Sequence, residues 1–310
     1  MSWDDGTPYL EEVGAGLYAY IQPTGGWMVN NTGTIVDASG RAILIDTAAT
    51  EKRNRAILAS VAEVSTGAPR VLINTHHHPD HVYGNCFLPP ETVIVAHDRC
   101  RELVLRAGTA AMKELTEPDY GDITIRPPEL TVNDRLTIHA EGFPVELHTV
   151  APAHTTNDVI VWLPQQRVLY AGDLAFNGGQ PIFLDGSAAG YIRAVKFMRS
   201  LAPEVLVGGH GPVTRGDAVA TLLDDLQAYA EFVVQIAADG VAAGRTPLET
   251  AQLNQDNPFR DWAETERLVA NVARASFEAD PLSVDGTRLA VPFLWPDMEA
   301  LHGGPIVSHA

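Results

Sequence analysis

Cysteine is scarce in this 310-residue chain: Cys86 and Cys100 are the only two. Two thiols cannot build a disulfide framework, so the chain reads as a cytoplasmic protein with free cysteines. Basic residues are also few. Lys and Arg number 21 against 39 Asp and Glu, a formal net charge of -18. That balance argues against a nucleic-acid partner, whose phosphates are neutralised by Lys and Arg. It also argues against an anionic membrane surface. No acidic run occurs, so the charge reads as a solubilising surface. No apolar run approaches the ~20 residues that span a bilayer. The start, Met1 to Gly6, has neither a basic region nor an apolar core and predicts no signal peptide. What remains is 45% hydrophobic, enough for one large domain or two small ones.

Periodicity outlines the elements. Leu17 to Gln22 and Trp27 to Val36 read as strands joined by a turn at Gly25-Gly26, and Ala42 to Ile45 as a buried strand. Helical spacing covers Glu51 to Val64. Arg70 to Asn74 is an apolar strand, and a short helix through Phe87 follows. Thr92 to Ala96 is a strand and Arg99 to Leu115 a helix. Leu130 to Ile138 pairs with Val145 to Val150, and Val159 to Leu163 precedes Val168 to Ala171. Ala188 to Leu201 is helical and Val205 to Val207 a last strand. Strands and helices so interleaved predict an α/β arrangement, a mixed sheet system with helices outside. After Gly216 the pattern turns helical. Asp217 to Ala243 is one long amphipathic helix, a capping box at Thr246 with Pro247 starts another, and Glu264 to Glu278 is a third. This divides the chain into a body over 1–215, a helical extension over 216–280, and an irregular Pro-rich tail over 281–310. Phe293, Leu294 and Trp295 in that tail either pack back on the body or reach a second subunit, so a homo-oligomer through the C-terminal helices or tail stays open.

The chain is organised around Thr75-His76-His77-His78-Pro79-Asp80-His81. His76, His78, Asp80 and His81 place four potential metal ligands within six residues at the end of a strand, where α/β sheets set their sites. Imidazole and carboxylate together suit zinc, iron or manganese. Alternation points His76 and His78 one way and His77 the other. Three more ligand types follow apolar strands. They are His154 in Ala151-Pro152-Ala153-His154-Thr155, Asp173 beside Gly172, and His210 in Gly208-Gly209-His210-Gly211-Pro212. Any one alone is an ordinary turn residue; strand ends converging on one edge are a site.

With Gly84-Asn85 behind the His motif, this pattern resembles the metallo-β-lactamase superfamily over roughly the first 215 residues. The resemblance implies an αββα sandwich, with two sheets face to face and helices outside. It implies two metal ions, Zn2+ with Fe or Mn as alternatives. His76, His78 and His154 would hold the first, and Asp80, His81 and His210 the second. Asp173 would bridge them together with a water or hydroxide. Zinc β-lactamases do not usually carry the bridging Asp and commonly carry a secretion signal. The bridging Asp is closer to glyoxalase II and lactonases. Yet Gly-His-Gly-Pro around His210 and Thr-Thr-Asn-Asp after His154 depart from glyoxalase II proper.

The chemistry implied is hydrolysis beside a carbonyl, on an ester, thioester, lactone or lactam, with no Ser or Cys nucleophile. Shared dications lower the pKa of water from 15.7 towards ~7 and stabilise the oxyanion. Asp80 is first a ligand and second a group that orients the attacking water and passes on its proton. A small-molecule substrate is expected. The turn at Gly25 resembles the hairpin that overhangs such sites, placing Trp27 and Met28 over the substrate. Tyr83, Phe176, Phe183 and Tyr191 are candidates to line the pocket, and Arg193, Lys196 and Arg199 to meet an anionic tail. The alternatives are an iron oxidoreductase resembling the persulfide dioxygenases, a phosphodiesterase, and a binding protein with a vestigial site.

Overall fold

The computed structural model describes residues 6–23, 26–279 and 294–310. Among these, two sheets form. The first runs β1 (Tyr9–Gly14), β2 (Leu17–Ile21), β3 (Thr32–Val36), β4 (Ala42–Ile45), β5 (Val71–Ile73), β6 (Val93–His97) and β7 (Leu130–Val132) in spatial order. It is antiparallel through β4 and parallel from β4 to β7. The second comprises β8 (Arg135–Ala140), β9 (Phe143–Thr149), β10 (Val159–Leu163), β11 (Val168–Phe176), β12 (Val205–His210) and β13 (Thr214–Arg215), arranged from β13 back to β8.

Period-two alternation decides which residues meet. Ile43, Ile45, Ile73 and Val95 face inward. They share one buried cluster with Val145, Leu147, Val159, Val161 and Tyr170 of the second sheet. Leu44, Leu72 and Ile94 face outward, against Ile57 and Val61 of α1 (Glu51–Val64). The outer face of the second sheet, Ile160, Trp162, Leu169 and Leu206, lies under α5 (Ala188–Ser200), α6 (Asp217–Ala242) and α8 (Arg267–Ala279). The result is the expected αββα sandwich, with apolar faces covered on both sides. One continuous cluster ties the C-terminal helices to the second sheet. No helix among the described residues is long and apolar enough to cross a membrane.

Four expectations are corrected. The segment expected as one helix from Arg99 to Leu115 is two, α3 (Asp98–Ala107) and α4 (Ala111–Glu114). Gly108, at φ 54°, takes the left-handed conformation that ends helices. Leu130 to Ile138 is not one strand: Asn133 and Asp134 turn the chain from the first sheet to the second. The strand expected from Trp27 begins only at Thr32, because Met28 has φ 66° and breaks the extended run. The expected turn at Gly25-Gly26 falls partly outside the described residues. The tail is not irregular throughout: α9 (Trp295–His302) is a helix with Pro296 in its first turn. Trp295 packs back onto the body, its ring 5.1 Å from that of Trp27, while Phe293 lies outside the described residues. The capping box at Thr246 and Glu249 opens α7 (Pro247–Leu253).

Candidate metal centre and pocket

Five chain segments deliver the site. The loop after β5 carries His76 and His78, and α2 (Pro79–Val82) carries Asp80 and His81. His154 sits in the loop before β10, Asp173 within β11, and His210 at the end of β12. Gly172 has φ 53°, and the register between β11 and β12 shifts on either side of it. This bulge re-aims the strand where Asp173 must face the histidines.

The seven side chains converge as two groups, His76, His78, His154 and Asp173 on one side and Asp80, His81 and His210 on the other. In the first group His154 Nε2 lies 2.9 Å from His78 Nδ1, 3.2 Å from His76 Nε2 and 3.5 Å from Asp173 Oδ2. In the second, Asp80 Oδ2 lies 3.7 Å from His81 Nε2 and 3.9 Å from His210 Nε2. Asp173 joins the groups, with Oδ1 3.2 Å from His81 Nε2 and Oδ2 3.2 Å from His210 Nε2. Ligand atoms on a tetrahedral zinc with bonds near 2.0–2.1 Å stand roughly 3.4 Å apart. A second sign is chemical. His81 Nε2 and Asp173 Oδ1 are sealed from solvent and make no hydrogen bond, although they lie only 3.2 Å apart. Buried polar atoms are seldom left so. A cation between them supplies what is missing, so the donor set fits a metal.

The remaining ring nitrogens are held from behind. Asp46 Oδ2 takes His81 Nδ1 at 2.8 Å, and the same carboxylate accepts the Thr75 N–H and hydroxyl at 2.7 Å each. His154 Nδ1 meets the Ile182 carbonyl, and His78 Nε2 meets Asp185 at 3.2 Å. Such partners fix the tautomer that leaves the other nitrogen's lone pair for a metal. The second nitrogen of His77 is not needed there: its Nδ1 takes the Asn157 amide at 2.9 Å. Burial holds His76 well below the usual imidazole range and brings His154 down to about 3. Burial opposes a charge on His81 too, but the carboxylates of Asp173, Asp46 and Asp80 outweigh it and raise that ring well above its ordinary value. A dication held in the same place would displace that proton.

A cavity of about 280 Å³ opens onto His78, Asp80, His154, Asp173 and His210. Trp27, Met28 and Phe176 are among its lining residues. Tyr83, Phe183 and Tyr191 are not. Tyr83 packs under Met28 and Tyr120. Phe183 and Tyr191 pack on each other in the core, the Tyr191 hydroxyl donating to the Leu174 carbonyl. Arg193 and Lys196 are exposed on α5, and Arg199 pairs with Asp224 of α6; none lines the cavity. Sequence reasoning missed Asp46, Asp185, Arg267 and Met298 as site residues, and singled out Trp295 only as a tail aromatic. Only Asp46 leaves a trace, as an Asp at the end of a buried strand; at φ 60° it also adopts a conformation rare for a non-glycine residue.

Comparison with known proteins points to one family. The sequence profile of the Metallo-beta-lactamase superfamily matches residues 25–210. A Hydroxyacylglutathione hydrolase from Bartonella henselae is 28% identical over 211 residues, covering 66% of this chain and 74% of that protein. A Metallo-beta-lactamase type 2 from Bacteroides fragilis is 24% identical over 159 residues, covering 50% of this chain and 58% of that one. The solved metallo-beta-lactamase from Pontibacter korlensis superposes with a TM-score of 0.56 at 19% identity, over 73% of this chain and 99% of its own. That likeness speaks to the fold.

Proposed function

This chain belongs to the metallo-beta-lactamase superfamily, a footing that supports a metal-dependent hydrolase in general, and we propose specifically a dinuclear zinc hydrolase of small acyl compounds. Esters, thioesters, lactones and lactams are the candidate substrates. The observation that carries the proposal is that Asp173 reaches both ligand groups: Oδ1 lies 3.2 Å from His81 Nε2, and Oδ2 lies 3.2 Å from His210 Nε2 and 3.5 Å from His154 Nε2.

In this reading His76, His78 and His154 would hold one cation and Asp80, His81 and His210 the other, with Asp173 shared. Bound there, they would supply a water acidified to near neutral pH and a polarised acyl carbonyl. The chain supplies the rest. Asp46, Asp185 and the Ile182 carbonyl orient the imidazoles. Asp80 lines the cavity while reaching His81 and His210, a position from which its carboxylate takes a proton from the attacking water and returns it to the leaving group. Trp27, Met28 and Phe176 seat the apolar part of the substrate and exclude bulk water, which strengthens every charge interaction at the carbonyl. A cytoplasmic setting fits the free cysteines.

The test is turnover on a panel of esters, thioesters, lactones and lactams before and after chelation. The expected result is hydrolysis lost with the metal and restored by zinc. Turnover restored only by iron, with oxygen consumed, would replace hydrolysis with oxidation. No turnover of any panel member by the zinc-loaded protein would refute the proposal.

A further inference from the structure

The charge around the cavity is lopsided. Among the described residues lining it, Arg267 is the only Lys or Arg, and its cation is already engaged. One of its terminal nitrogens donates to the Gln180 carbonyl at 2.9 Å, and the other pairs with Glu264. Its guanidinium carbon stands 4.7 Å from the Trp27 ring and 4.9 Å from the Phe176 ring. Its Nε makes no hydrogen bond but is sealed from solvent, out of a ligand's reach. Arg267 as a whole is 2% exposed. Carboxylates outnumber it: Asp80, Asp173 and Asp185 all line the cavity. Outside the lining, Glu264 accepts the Trp27 backbone N–H at 3.0 Å, and Glu266 accepts the Trp27 indole N–H at 2.8 Å. Asp185 stands exposed at the same cavity. Apart from the histidines, the other described lining residues are apolar, among them Trp27, Phe176, Ile182, Leu184, Trp295 and Met298.

We infer that this pocket selects small, uncharged, apolar acyl compounds and discriminates against those carrying an anionic group. Arg267 acts inside the wall, holding Trp27 and Phe176 in place from α8, and is not an anion receptor. A carboxylate entering beyond the metal centre loses its hydration, meets no accessible cation among the described residues and faces Asp185. An apolar group meets a matched surface. At about 280 Å³, the cavity lies just below the roughly 300–1,000 Å³ typical of ligand pockets. The inference rests on the metallohydrolase reading and narrows its substrate class.

The test uses zinc-loaded full-length protein and two benzohydroxamates, one with a para-methyl and one with a para-carboxylate group. The hydroxamate anchors both at the metal centre, so the para group reports on the pocket. Binding is followed by tryptophan fluorescence, since Trp27 and Trp295 line the cavity. The para-methyl compound is expected to bind at least tenfold tighter. Higher salt should narrow the ratio by screening the exposed Asp185. Glu264→Gln, which removes the ion-pair partner of Arg267, should narrow it several-fold at constant salt. Equal or tighter binding of the carboxylate to the native chain overturns the inference, as does failure of both compounds to bind. The wild-type ratio decides the matter even where Glu264→Gln does not fold. Loss of ester turnover with the hydroxamate preference intact would instead count against the hydrolase reading alone.

Discussion

Asp46→Asn isolates what the buried carboxylate contributes. Asp46 is 2% exposed and accepts three hydrogen bonds, two from Thr75 and one from His81 Nδ1. Asn has nearly the same shape and tolerates the left-handed conformation at φ 60°, so the backbone is not disturbed. The change falls at Oδ2, which becomes an NH2 donor. The Thr75 hydroxyl can rotate to accept from it. The His81 Nδ1–H cannot, and donor would face donor. His81 escapes only by moving its proton to Nε2, which removes the lone pair that faces Asp173 and Asp80. Losing a hydrogen bond to a charged partner costs about 1.5–3 kcal/mol, which is roughly 10–150-fold in affinity at ~1.4 kcal/mol per decade. The account therefore expects Asp46→Asn to bind one zinc as the native chain does and the second about 10–100-fold more weakly. Competition with a zinc-binding dye measures both constants, and circular dichroism confirms that the fold is kept. Two zinc affinities within twofold of the native values in a folded variant would refute the reasoning.

Other substitutions probe other parts of the site. A Cβ added at Gly209 would stand 1.9 Å from Asp173 Oδ1, so Gly209→Ala must push that carboxylate aside; metal analysis should find the second ion lost or loosely held. Trp295→Ala removes the ring that closes on Trp27 and should raise KM for an apolar ester by roughly tenfold, with a smaller change in kcat under steady-state assay. Burial lifts the Glu264 carboxyl to about 7 despite the opposing charge of Arg267. Between the unfolded value near 4.5 and that folded value, the folded chain holds a proton that the unfolded chain has released. Its contribution therefore favours folding less as pH rises, by roughly 1.4 kcal/mol per unit, and levels off above about 7. Denaturant unfolding at pH 5 and pH 8 should show a shallower loss of stability for Glu264→Gln than for the native chain.

The parts of the molecule legible in the sequence share a physical cause. Buried strands such as Ala42–Ile45 and Val159–Leu163 announce themselves as apolar runs, and polar residues ending them stand out because water and core meet there. That is why His76, His78, Asp80, His81, His154, Asp173 and His210 were visible as a set. β1, Tyr-Leu-Glu-Glu-Val-Gly, was not, since an edge strand this exposed carries no clear alternation. Asp185 and Arg267 were invisible for another reason. Each is an ordinary charged residue among others in sequence, and only the packing of α8 and of the loop before α5 against the β11 and β12 ends brings them to the cavity. Aromatic rings show the converse: Tyr83 and Tyr191 lie near motifs along the chain, yet their rings are buried and do not line the cavity.

The most direct test of the central claim is metal stoichiometry. The native chain and Asp173→Asn would each be stripped, reloaded with zinc, freed of excess ion and measured by elemental analysis beside a check of folding. The account predicts two zinc ions per native chain, and one or fewer in the folded variant, because Asp173 reaches both groups of histidines. A single zinc in the native chain, or two retained by Asp173→Asn, would contradict a dinuclear centre built on this residue.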